Sequence, residues 1–167
     1  MTRLATPLPA VLRSGGPLLT APLVAPTDGQ LLAADGVAGV LKWQAKQPLY
    51  IQVALSGNTK AITAGTKKGL FRSPRTGTIT AFVVDCDPAN KPSASSVQVD
   101  LNKINRTTAV ATSVLSAVAT IAIAGTTGTG IINGTQSVSA GDLLSIDIDQ
   151  GSDGKELTAT ITITPTA

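Results

Sequence analysis

The sequence predicts an all-β fold: an antiparallel β-sandwich preceded by an extended, proline-rich N-terminal arm. Three observations carry this. From Leu49 onward, apolar and polar residues alternate with period 2 in runs bounded by Gly, Asn, Asp and Pro. The apolar fraction is 43%, but aromatics are only 2% of the chain, so the core must be built from Val, Ile, Leu and Ala. β-Branched residues of that kind suit pleated, half-buried surfaces. Finally, Pro7, Pro9, Pro17, Pro22, Pro26 and Pro48 crowd the first part of the chain. Each fixes φ and removes a backbone donor there.

Taken in order, "TPLPAVLRSGGPLLTAPLVAPTDG" has neither helical nor strand period. It is too apolar for a disordered linker. Residues 1–48 therefore read as an arm that lies across another surface, and residues 49–167 as the β-domain. "DGQLLAADGVAGVLKWQ" has two readings: a short helical turn capped by Asp28 or Asp35, or a turn between two short strands. "LYIQVAL" puts Ile51, Val53 and Leu55 on one face and Tyr50, Gln52 and Ala54 on the other. "GTITAFVVDC" is the next strand. "SSVQVDLNKI" places Val97, Val99 and Leu101 together. "TTAVATSVLSAVATIAIAG" starts with a short helix on the spacing of Val110, Val114 and Leu115, and "ATIAIAGTTGTG" is a strand followed by a Gly/Thr loop. "LLSIDIDQ" points Leu144, Ile146 and Ile148 inward and Ser145, Asp147 and Asp149 outward. "QGSDGK" is a turn, with Gly151 and Gly154 supplying positive φ. "ELTATITIT" places Leu157, Ala159, Ile161 and Ile163 on one side.

Composition excludes several chemistries. The chain has no His, the commonest general base and zinc ligand. One cysteine, Cys86, allows neither an intrachain disulfide nor a thiolate zinc cage. A net charge of +3 without aromatic interleaving is not a nucleic-acid footprint. No signal peptide and no run long enough to span a bilayer are expected. "AGTTGTG" lacks the Gly-Lys-Ser/Thr ending of a phosphate loop. Asp147, Asp149 and Asp153 fit neither register of a helix–loop–helix calcium loop, which leaves only a weak, non-standard calcium site at the strand end. No catalytic residues, cofactor or metal are expected, and the chain is not read as an enzyme.

Charge is unevenly placed. Lys60, Lys67, Lys68, Arg72 and Arg75 lie together with no acid among them, whereas residues 142–156 are acidic. The two segments suit complementary contacts between neighbouring subunits, a basic loop facing an acidic partner surface, or ordinary solvated loops. Only 14% of residues are charged, which suggests that partners cover part of the surface.

Four short segments, Gly65 to Gly69, Gly77 to Ile79, Val99 to Leu101 and Ala140 to Asp142, resemble a β-sandwich module of tailed-bacteriophage virion structural proteins. The resemblance covers about residues 60–167. A Trp that often follows the third segment is replaced by Asn102, so any contact made by that Trp does not carry over. The resemblance implies a jelly-roll-like virion component, made in the host cytoplasm. With the arm, it suits a capsid decoration (cement) protein on the capsid exterior. Its partners would be the major capsid protein and itself, as a homotrimer, with neither nucleic acid nor membrane. The expected interface is Leu8, Leu12, Leu18, Leu19, Leu23 and Trp43 of the arm together with Lys67, Lys68, Arg72 and Arg75. The rival reading is a tail-fibre or receptor-binding module.

Overall fold

The computed structural model describes residues 31–34, 41–44 and 47–166. The chain divides into two units, Met1–Lys46 and Gln47–Thr166. In the first, β1 (Leu31–Ala34) and β2 (Leu41–Gln44) pair antiparallel, with Leu31 opposite Gln44 and Ala34 opposite Leu41. Of the two readings of that stretch, the pair of short strands is the one found. The arm residues Leu8, Leu12, Leu18, Leu19 and Leu23 lie outside the described residues. Trp43 lies in β2.

The second unit is all-β. Its strands are β3 (Leu49–Ala54), β4 (Gly65–Arg72), β5 (Gly77–Asp85), β6 (Val97–Ile104), β7 (Ala111–Ser113), β8 (Leu115–Ala117), β9 (Ala119–Ile121), β10 (Thr127–Ile132), β11 (Gln136–Val138), β12 (Leu143–Gln150) and β13 (Thr158–Thr164). Every pairing among them is antiparallel. The first sheet runs β3-β13-β5-β10-β8, with β11 beside the start of β5. The second runs β4-β12-β6-β7, with β9 beside the start of β6. A single 3-10 turn, Pro88–Asn90, is capped by the Asp87 carboxylate, which accepts from the Ala89 amide at 3.0 Å.

The alternation in the sequence explains the core. Val97, Val99 and Leu101 of β6, Leu144, Ile146 and Ile148 of β12, and Ala159, Ile161 and Ile163 of β13 are all buried in one cluster. Phe82 and Val84 of β5 join them, so the two sheets enclose one apolar layer, as in a β-sandwich. By area, each large aliphatic side chain removed from water contributes about 1.5–3 kcal/mol, before the cost of ordering the chain.

Three expectations are corrected. The short helix expected near Val110 is absent. Residues 111–121 instead form β7, β8 and β9, and the chain changes sheet as it goes. Val114 marks the crossing: its amide donates to Leu101 O (2.9 Å), and its carbonyl accepts from Asn133 N (2.9 Å). The expected Gly/Thr loop is largely strand β10. Glycine serves there because the chains approach closely: a Cβ on Gly128 would lie 2.5 Å from the Thr120 carbonyl carbon. In "QGSDGK", neither Gly151 nor Gly154 takes positive φ, which falls instead on the next residue, Glu156 (φ 55°). Gly151 is required because a Cβ there would run into the carbonyl of Ile62, which accepts from Ser152 N at 2.9 Å.

Candidate functional site

The oppositely charged segments of the sequence are β4 and β12, and they are neighbours in one sheet. Their register slips between Ile146↔Gly69 and Ile148↔Gly65, so Thr66, Lys67 and Lys68 crowd opposite Asp147. Lys67 takes φ 53°, a left-handed conformation that is costly for a residue with a Cβ. Asp147 holds this bulge in place. Its Oδ1 accepts the Lys67 amide at 2.6 Å, and its Oδ2 accepts Asn102 Nδ2 at 3.2 Å. A charged acceptor makes a backbone bond of this kind stronger than a neutral one.

Asp100 stands directly opposite Asp147 and accepts Ser113 Oγ at 2.6 Å. Asp149 lies two residues along β12. Desolvation, then the charges of Asp100 and Asp147, push its carboxyl above the ordinary range. Asp153 is used differently. It gathers the amides of Ser93 (2.8 Å) and Ala94 (3.1 Å) with the hydroxyls of Ser93 and Ser152, and these bonds hold its carboxyl far below the ordinary value. Asp147, Asp149 and Asp153 therefore do not converge. Among the described residues, no group of three or more His, Cys, Asp or Glu could hold a metal ion.

The predicted basic residues Lys67, Lys68, Arg72 and Arg75 are all exposed. Three of them donate to neutral oxygens: Lys68 Nζ to Thr63 Oγ1 (3.1 Å), Arg72 Nη1 to Gly141 O (3.3 Å) and Arg75 Nη1 to Gln47 O (3.1 Å). The acidic segment finds its cation elsewhere: Lys103 Nζ lies 2.7 Å from Asp142 Oδ2. That contact, with the Ser139 amide, lowers the Asp142 carboxyl. β4 thus meets β12 through the backbone amide of Lys67, and the ion pair of the acidic segment is made by Lys103 of β6.

An open groove of about 250 Å³ lies on this outer face, lined by Leu70, Ile104 and Leu143, with Lys67 and Arg106 at its rim. Leu70 is 54% exposed. Ser145, expected on the solvent side, is fully buried between Leu70 and Asn102 in the register, and its hydroxyl has no hydrogen-bond partner. Asn102 is likewise buried. Nothing in the alternation signals either burial, because both residues fall on the polar phase of their strands.

A second hollow, of about 490 Å³, is lined by Ser56, Asp85, Cys86, Asp87 and Glu156, among others. Two of its acids serve structure. Asp85 accepts Thr127 Oγ1 at 2.7 Å, and Asp87 caps the 3-10 turn. The Cys86 thiol points to Gly125 O at 3.7 Å; burial, then Asp85 and Asp87, raise its pKa, which disfavours the nucleophilic thiolate. No known protein family, curated protein or solved structure matches the chain.

Proposed function

We propose that this chain is a structural protein of a tailed-phage virion, a capsid decoration protein whose β-unit is a jelly-roll-like sandwich. The strand order is the observation that carries this reading. One sheet runs β3-β13-β5-β10 and the other β4-β12-β6-β7, and the chain crosses between sheets at almost every connection. Two Greek keys wound in this way make a jelly roll, an architecture used by viral capsid and lectin domains. Two of the four segments that resemble phage modules, Gly77 to Ile79 and Ala140 to Asp142, fall at turning points. Gly77 opens β5, where a Cβ would lie 2.5 Å from Thr164 O. Gly141, at φ 87°, turns the chain into β12.

On this reading, residues 1–48 and the exposed cations of β4 and the turn after it grip the major capsid protein on the particle exterior, in a homotrimeric assembly. In the larger hollow Asp85 is bonded to Thr127 and Asp87 caps a turn, which suits a scaffold role. The test is to incubate full-length protein with expanded, genome-filled heads and, separately, with host cells. Saturable, salt-sensitive binding to heads is expected. Changing Leu8, Leu12, Leu18, Leu19 and Leu23 to Ser should abolish it while leaving the circular dichroism spectrum unchanged. Binding to cells and not to heads would replace this reading with a receptor-binding one.

A further inference from the structure

Among the described residues, strand β3 leaves one edge of the first sheet open. Its partner on the inner side is β13, from Ala54↔Thr158 to Leu49↔Ile163, with no bulge along the register. Among the described residues, no strand pairs with its other side. The direction of its amides follows from one bond: Leu55 N donates to Leu157 O at 2.8 Å. Alternate residues of a strand present both N–H and C=O to the same side. Ile51 and Val53 therefore face β13, and the amides and carbonyls of Tyr50, Gln52 and Ala54 face outward.

Bare edges are normally blunted by Lys, Pro, bulges or short length. β4, the edge of the other sheet, has Lys67, Lys68, Arg72 and the Asp147-held bulge. β7 and β8 are three residues each. β3 has six residues, "LYIQVA", with no charge and no proline. Its outward side chains include Tyr50, 67% exposed. Its inward side chains Leu49, Ile51, Val53 and Leu55 pack on the core but stay only partly buried.

We infer that β3 is a docking edge for β3 of a second copy of this chain, paired antiparallel about a twofold axis through Gln52. In that register Tyr50 meets Ala54 of the second copy, Ile51 meets Val53, and Gln52 meets Gln52. Each outward-facing pair exchanges both N–H···O bonds. The strand is its own complement: large Tyr50 falls against small Ala54, no like charges oppose, and the half-covered Ile51 and Val53 gain a neighbour. The contact uses the β-unit alone and does not depend on the arm or on a capsid.

The test uses full-length protein. Analytical ultracentrifugation should show dimers that dissociate on dilution, or hexamers where the proposed trimer also forms, since the twofold contact doubles either species. Amide exchange at Tyr50, Gln52 and Ala54 should slow at least tenfold at high concentration relative to low. Gln52→Pro removes an outward amide and should abolish association with the fold retained. Ile51→Pro removes an amide bonded to β13 and should lower the melting temperature. Gln52→Cys should give a disulfide-linked dimer, since paired Cα atoms about 5.5 Å apart suit a disulfide and Cys86 is buried. A monomer at all concentrations, or unchanged association in Gln52→Pro, overturns the inference. Concentration-independent protection of those amides also overturns it, because the edge would then be covered from within the same chain.

Discussion

β3 and β4 are edge strands of facing sheets, and they touch. A Cβ on Gly69 of β4 would lie 3.0 Å from Val53 Cγ1 and 3.1 Å from Leu55 Cδ2 of β3. Yet the chain treats them oppositely. β4 carries cations, and a register slip whose left-handed residue is held by Asp147. β3 is regular and neutral and, among the described residues, has no strand on its other side. The contrast teaches that an acidic run in the sequence can be an edge-guarding device. Asp147 resembles a ligand in the sequence, but in the fold it holds a bulge in place.

The contact between the two edges gives the largest expected effect. Gly69→Val inserts branched atoms where even one carbon is tight. It should cost about 1–3 kcal/mol by urea denaturation, because the β3–β4 contact must open. Next is Asp147→Ala, which strands the Lys67 amide. A stability loss of about 1–2 kcal/mol is expected, together with light scattering that grows with concentration as β4 loses its guard. If Asp147→Ala lowers stability without association, the bulge is needed only for the fold.

How much of this was legible in the sequence depended on whether side chains alternate. β6, β12 and β13 follow the pattern because one face of each is the core. β10 was unreadable because its "TGTG" carries no side chains where the chains come closest: a Cβ on Gly130 would meet Leu115 Cδ1 at 2.8 Å. Val110, Val114 and Leu115 imitated helical spacing, but Val114 is set by a sheet crossing that depends on Leu101 and Asn133, distant in sequence. The opposite charges of β4 and β12 were visible as charges. Their pairing within the chain was not, because register belongs to the whole sheet.

A smaller effect should come from Lys67→Gly, which relieves the left-handed conformation at the bulge. A gain of about 0.5–1 kcal/mol is expected. If the cation at Lys67 guards the edge, the gain should come with increased association; if the bulge geometry is the guard, association should not change.

The smallest effects are pH-linked and separate the carboxylates of the β4–β12–β6 sheet by sign. The folded pKa of Asp142 lies below its ordinary 3.8, chiefly through Lys103 and the Ser139 amide. Its stabilisation is therefore present above that value and is lost as pH falls through the folded pKa. Asp142→Asn should thus be less stable than the parent at neutral pH, and the two should converge in acid. Asp149 runs the other way. Desolvation, with Asp100 and Asp147 beside it, raises its pKa above 3.8. Its favourable contribution is complete below that value and disappears as pH rises through the folded pKa. Asp149→Asn should therefore match the parent in acid and exceed it at neutral pH. Melting temperatures of both variants across that range measure the two slopes. Slopes of the same sign would mean that the acids on this face share one environment, and Asp147 would then be one more member of a solvated cluster.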